Sequence, residues 1–192
     1  MWEQIIQFDK DIFLFFNQFH SPFFDSLMWW ISDKYIWIPF YAFLLFLVFY
    51  YKRKQGFILV FFIALLVTLT DQTSVHWFKE VFERLRPCHD PELAGLVHIV
   101  NNKCGGQFGF VSSHASNTFG IAVFLSLLLK PHIRWIWWPL IIWAAIVSYS
   151  RIYLGVHFPA DILGGALLGT FWAIIIYFLF LFTKRQFFRK FA

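Results

Sequence analysis

The chain has 192 residues, 59% of them hydrophobic and 23% aromatic, with only 14% charged and a formal net charge of +5. A soluble domain of this length has too little interior to hide that much apolar surface, so the composition points to a membrane protein. The positive charge lies in short loops and at the C-terminus instead of forming a basic stripe with interleaved aromatics, which argues against a nucleic-acid partner.

Met1–Phe19 mixes Ile5, Ile6, Phe8, Ile12 and Phe13 with Gln4, Gln7, Asp9, Lys10 and Asp11. That mixture suits an interfacial amphipathic helix. Glu3, Asp9 and Asp11 stand where a cleavable signal would carry a basic n-region. His20-Ser21-Pro22 breaks this helix, and a second short interfacial or re-entrant piece is expected over Phe23–Ile31. The competing reading makes Ile12–Ile31 a sixth span, which would bury Asn17, Gln18, His20 and Asp25 at considerable cost. Residues 1–34 are therefore read as an N-terminal interfacial segment.

Five apolar runs follow, about Ile36–Tyr51, Gly56–Thr70, Ala115–Leu129, Arg134–Tyr149 and Ile162–Phe182. Once extended into their polar flanks they approach the roughly 17–25 residues that span a bilayer. The second is expected to continue as helix through Asp71–Leu85, because Gly and Pro are absent before Pro87. The predicted fold is all-α: one domain over 1–192, a polytopic transmembrane bundle of five or six spans.

Lys52-Arg53-Lys54, then Lys130, His132 and Arg134, then Lys184, Arg185, Arg189 and Lys190 all fall on one predicted side. The positive-inside rule makes that side cytoplasmic. By parity, loop 87–111 and the turn Ser150–Phe158 are extracytoplasmic. Gly165-x3-Gly169 in the last run is a small-residue pattern for close helix contact, within the chain or between copies.

Three polar stretches sit at the outer ends of these runs. Lys79 and Arg86 are seven apart, almost two helical turns, so on a continuous helix both reach one anion from the same face. Arg84 and Glu83 are read as solvated neighbours, with Glu83 placed to pair with Lys79. Ser112-Ser113-His114 precedes an apolar helix, where serine caps and free N–H groups bind phosphate. Ser150-Arg151 is followed by His157 and, four residues later, Asp161, a carboxylate within reach of the imidazole. Such a carboxylate fixes the tautomer and strengthens the other ring nitrogen as a nucleophile. Snorkelling cations, plain helix caps and a turn-stabilising hydrogen bond would each explain one stretch alone. The three together supply a nucleophile, a proton donor and an anion clamp.

These residues resemble the type 2 phosphatidic acid phosphatase family, membrane lipid phosphatases that share a site with vanadium haloperoxidases. The family pattern K-x6-R-P, P-S-G-H, S-R-x5-H-x3-D reads here Lys79-x6-Arg86-Pro87, Val111-Ser112-Ser113-His114 and Ser150-Arg151-x5-His157-x3-Asp161. Val111 and Ser113 replace the family's proline and glycine. The resemblance implies that His157 attacks phosphorus to form a phosphohistidine and that Asp161 orients it. His114 would protonate the leaving group and then assist water. Lys79, Arg86, Ser112, Ser113 and Arg151 would hold the phosphate oxygens, with no metal and no cofactor. The expected partners are a lipid phosphate substrate and membrane lipids. Undecaprenyl diphosphate, lipid A phosphate, phosphatidylglycerophosphate and phosphatidate all suit such a site in a bacterial inner membrane, with undecaprenyl diphosphate and lipid A favoured. A lipid-to-lipid phosphotransferase of the same fold, or a non-catalytic lipid-binding or transport protein, are the rival functions. The oligomeric state stays open. Cys88 and Cys104 lie in the outer loop, where an oxidising compartment permits a disulfide; free thiols, or a zinc site with His89 and His98, are the alternatives.

Overall fold

A computed structural model describes residues 2–188. Eight α-helices follow in order: α1 (Trp2–Asn17), α2 (Pro22–Ser32), α3 (Ile38–Lys52), α4 (Gln55–Gln72), α5 (Glu80–Phe82), α6 (Ser113–Leu129), α7 (Trp137–Tyr153) and α8 (Pro159–Phe188). A π-helical stretch, Thr73–Lys79, joins α4 to α5, and short 3-10 turns punctuate the loop before α6. Among the described residues there is no strand, only an isolated antiparallel bridge between Leu85 and Phe108.

The core lies where α3, α4, α6, α7 and α8 meet. Val48, Leu59, Leu66, Phe124, Leu129, Leu140 and Ile176 are all buried there. Beyond its polar first turns α6 is largely apolar and carries buried Ala122, Val123, Phe124, Leu125 and Leu128, so it occupies the middle of the bundle. Small residues let α8 lie directly on it. A Cβ at Gly165 or Gly169 would collide with the Ser112 or Ser116 carbonyl of α6, so the Gly165-x3-Gly169 pattern serves packing inside the chain.

Large apolar side chains also cover the outside. Phe46, Phe57, Phe61, Leu163, Leu167, Phe171 and Phe178 are exposed, far beyond the apolar patches that soluble proteins tolerate. Two continuous helices, Gln55–Phe82 and Pro159–Gln186, are long and apolar enough to cross a membrane, and Ile38–Lys52 and Ser113–Leu129 are shorter apolar helices. Lys52 Nζ lies 3.2 Å from His132 Nε2, so the α3–α4 and α6–α7 turns share one end of the bundle. Arg189 and Lys190 lie outside the described residues.

Residues 12–31 do not form a single span. α1 ends at Asn17, and α2 starts at Pro22 with Ser21 as its cap. Nor is α1 a helix that only rests on a surface. Phe13 is fully buried, its ring edge-on to Phe158 with centroids 5.3 Å apart. The Asn17 amide donates to the carbonyls of His98, Ile152 and Tyr153 and accepts from His98 N. It thereby supplies a donor to carbonyls at the C-terminal end of α7, where helical partners run out. Lys10 reaches Asp90 at 2.7 Å and Glu92 at 2.6 Å. Helix α1 is thus bolted across the end of the bundle where the polar motifs gather.

Candidate active site

The first polar stretch is built differently from a helical stripe. Helix α5 stops at Phe82 because Glu83 takes the left-handed conformation, φ +45°, and residues after it run extended. Arg86 N donates to Gln107 O at 3.1 Å, and Gly109 N donates to Arg84 O at 2.8 Å. The segment 84–86 is therefore paired with 107–109, and Lys79 and Arg86 do not share a helix face. Just past the pairing, Cys88 and Cys104 form a disulfide. The sulfurs are therefore not free thiols. His98, the other imidazole of the zinc alternative, instead pairs with Asp25 at 2.9 Å.

Lys79 Nζ donates to Ser113 Oγ at 2.8 Å, and Ser74 Oγ lies 2.6 Å from the same hydroxyl. Glu83 is exposed and does not pair with Lys79. Arg86 is buried, its Nε donating to Phe108 O and a terminal N–H to Cys104 O, both at 3.1 Å. Gly105, with φ +89°, passes so close that a Cβ would stand 3.0 Å from the guanidinium. Ser112 caps α6, accepting from Ala115 N at 3.5 Å, while its own N–H reaches Asp161 O at 3.0 Å. In the first turn of α6, the His114 ring meets the Ser32 backbone.

Arg151 projects from the last turn of α7, and its guanidinium donates to Ser32 Oγ. Its buried Nε has no hydrogen-bond partner among the described residues. The backbone N–H groups of Val156 and His157 both close on Arg151 O, a tight turn in which Gly155 takes φ +77°. His157 is 1% exposed, with Nδ1 3.3 Å from Asp161 Oδ2. That oxygen also accepts Phe158 N at 2.9 Å. Gly109 must be glycine here, since a Cβ would approach Asp161 Oδ2 to 2.9 Å. Burial first, then the charges of Arg151, Arg86 and Lys79, push the His157 pKa well below the ordinary imidazole value, and a Gly109 backbone hydrogen bond opposes them. The ring is neutral at neutral pH, with a lone pair available.

Arg84 is not a solvated neighbour. Its guanidinium donates to Asp161 Oδ1 at 2.9 Å and to Asp9 Oδ2 at 2.6 Å, and it stacks 4.4 Å from the Phe158 ring centroid. The left-handed Glu83 and the extended backbone after it turn Arg84 into the site, which a helical reading of residues 83–86 conceals. Asp9 and Ser32, in contrast, carry no local sequence signal. They come to the site from helices that precede the motifs by tens of residues. An apolar cavity of ≈ 530 Å³ borders Arg84, walled by Ile5, Ile6, Phe82, Phe110 and Phe158.

The helical bundle, its apolar exterior and this cluster of cations and imidazoles define a membrane enzyme that handles phosphate. The chain belongs to the PAP2 superfamily, whose family profile matches residues 55–185, and is a lipid-phosphatase-class hydrolase. It is 41% identical over 184 residues to a lipid A 4'-phosphatase of Bacteroides thetaiotaomicron, covering 93% of this chain and 80% of that protein. It is 33% identical over 186 residues to a lipid A 4'-phosphatase of Porphyromonas gingivalis, covering 96% and 78%. The fold matches the crystal structure of a transmembrane PAP2-type phosphatidylglycerolphosphate phosphatase from Bacillus subtilis, with a TM-score of 0.68 at 24% identity, over 96% of this chain and 88% of that one.

Proposed function

We propose that the protein removes a phosphate from lipid A, with His157 as nucleophile. One observation carries the phosphate site: Lys79, Arg86 and Arg151 surround His157, yet each is hydrogen-bonded to neutral oxygens. Among the described residues none of the three forms an ion pair with a carboxylate. Three cations with no carboxylate at ion-pair distance are matched by a phosphate dianion, and charge-assisted hydrogen bonds of this kind are the strong ones.

In the proposed reaction Asp161 holds the Nδ1 proton, and the other ring nitrogen of His157 attacks phosphorus. The P–O bond to the lipid breaks, and His114 gives its proton to the leaving alkoxide. Water then attacks the phosphohistidine, transferring a proton to His114 as the N–P bond breaks and phosphate leaves. Lys79, Arg86, Arg151 and the Ser112–Ser113 helix start stabilise charge on the phosphoryl oxygens in both steps. Five spans, α3, α4 with its continuation, α6, α7 and α8, are proposed to place this site on the extracytoplasmic side of a bacterial inner membrane. The basic turns at the opposite end of the bundle support that orientation.

Lipid A is preferred because relatives bearing the lipid A 4'-phosphatase name match nearly the whole chain. The test is phosphate release by purified protein from lipid A, undecaprenyl diphosphate, phosphatidylglycerophosphate and phosphatidate. The expected result is the highest kcat/KM on lipid A, lost in His157→Ala. Faster release from another member of the panel overturns the substrate assignment. Recovery of the phosphate on an added acceptor lipid rather than in water identifies a phosphotransferase.

A further inference from the structure

The proposed reaction needs a charged, correctly aimed Asp161, and that carboxylate is fully buried. An ionised carboxyl in such a setting is tolerated only with a partner that neutralises and orients it. Arg84 is the partner, at 2.9 Å. One guanidinium N–H alone does not fix a long side chain, however. Arg84 is held from its other side by Asp9 Oδ2 at 2.6 Å and from below by the Phe158 ring.

Asp9 has a second attachment. Its Oδ1 accepts the N–H of Ala160 at 2.9 Å. Ala160 is the second residue of α8, where the N–H groups have no helical acceptor. One carboxylate from α1 therefore grips both the arginine that aims Asp161 and the helix start that carries Asp161. Asp9 is itself only 7% exposed, so the bonds are made out of water, where they are strongest. Lys10, next in sequence, docks the helix through Asp90 and Glu92 and touches none of these groups.

We propose that Asp9 is a positioning residue for the His157–Asp161 pair, acting through Arg84, and that the N-terminal helix is thereby part of the catalytic apparatus. This rests on His157 being the nucleophile. The experiment measures kcat, KM and thermal midpoint for full-length enzyme in detergent, with lipid A as substrate. Asp9→Asn keeps an acceptor for Ala160 N but removes the charge from Arg84. The expected result is a fall in kcat of roughly tenfold with KM within about twofold and a folded protein. Arg84→Lys, which cannot bridge two carboxylates in the same plane, is expected to lose a similar factor. The double variant should lose little more than either single one. Lys10→Met, which loosens the helix elsewhere, should keep kcat near wild type.

Wild-type kcat in Asp9→Asn overturns the proposal, as does a loss in Lys10→Met equal to that in Asp9→Asn. Should Asp9→Asn not fold, wild-type kcat in Arg84→Lys overturns it equally. His157→Ala distinguishes failure of the nucleophile from failure of Asp9. An active His157→Ala removes the nucleophile reading itself, whereas an inactive one beside a fully active Asp9→Asn removes only the role of Asp9.

Discussion

The two sides of His157 use the same kinds of side chain to opposite ends. On the Asp161 side every cation is matched: Arg84 by Asp9 and Asp161, Lys10 by Asp90 and Glu92. On the other side Lys79, Arg86 and Arg151 are hydrogen-bonded, among the described residues, only to hydroxyls and carbonyls. Arg84 and Arg86 stand two residues apart and fall on either side of this division. The lesson is that the count of charges in a motif says little. In the proposed site, a scaffold arginine differs from a ligand-binding one in that the fold has already neutralised it.

The largest expected effect comes from the residue between the two sides. His157→Ala should lower kcat by a factor on the order of a thousand or more, measured as phosphate released from lipid A, because no other group in the proposed reaction replaces the nucleophile. Next come the unmatched cations. Arg151→Ala or Arg86→Ala should lower kcat/KM by roughly a hundredfold each through lost charge stabilisation in the transition state. Vanadate or inorganic phosphate should inhibit these variants more weakly than wild type. Equal inhibition would mean that the unmatched side is not the anion site.

The disulfide offers a smaller effect on the same side. It closes the loop that carries the Cys104 carbonyl to Arg86. The paired variant Cys88→Ser with Cys104→Ser should lose about 3 kcal/mol of stability in the chain-entropy picture, seen as a lower thermal midpoint. It should also raise KM for lipid A several-fold.

The smallest effect is in pH dependence. His157 binds a proton in the unfolded chain at pH values where the folded site refuses it, because its folded pKa lies well below 6.5. Below about pH 6.5 the unfolded state therefore gains protons relative to the folded one. Stability should therefore fall as the pH is lowered through that range. His157→Asn should flatten that part of a thermal-midpoint-against-pH curve, and an unchanged slope would show that the ring is protonated in the folded enzyme.

Much of the bundle was legible from apolar runs. The run at Ile36–Tyr51 became α3, and the run at Ala115–Leu129 became α6, each within two residues of its start and of its end. Helix α8 began earlier and ran longer than its apolar stretch, because Pro159 starts a helix well and the polar residues after Phe182 are good helix formers. The end of α5 was not legible. Glu83 in a left-handed conformation has no preference written in its type, and the bridge from Leu85 to Phe108 is a contact between distant residues. The motif histidines and cations could be picked out because their spacing is unusual in apolar surroundings. Asp9 could not, since an aspartate in a mixed helix looks like any interfacial residue until tertiary packing sets it against Arg84.

The unmatched side of His157 is proposed to receive a phosphoryl group that His157 takes covalently. The most direct measurement mixes lipid A carrying radiolabelled phosphate with the wild-type enzyme, quenches with alkali within the first turnovers and maps the label by peptide sequencing. The expected result is an alkali-stable, acid-labile label on His157 that does not form in His157→Ala. Phosphate release without any labelled protein in a wild-type time course at the earliest quench, or a label mapped to another residue, would contradict it.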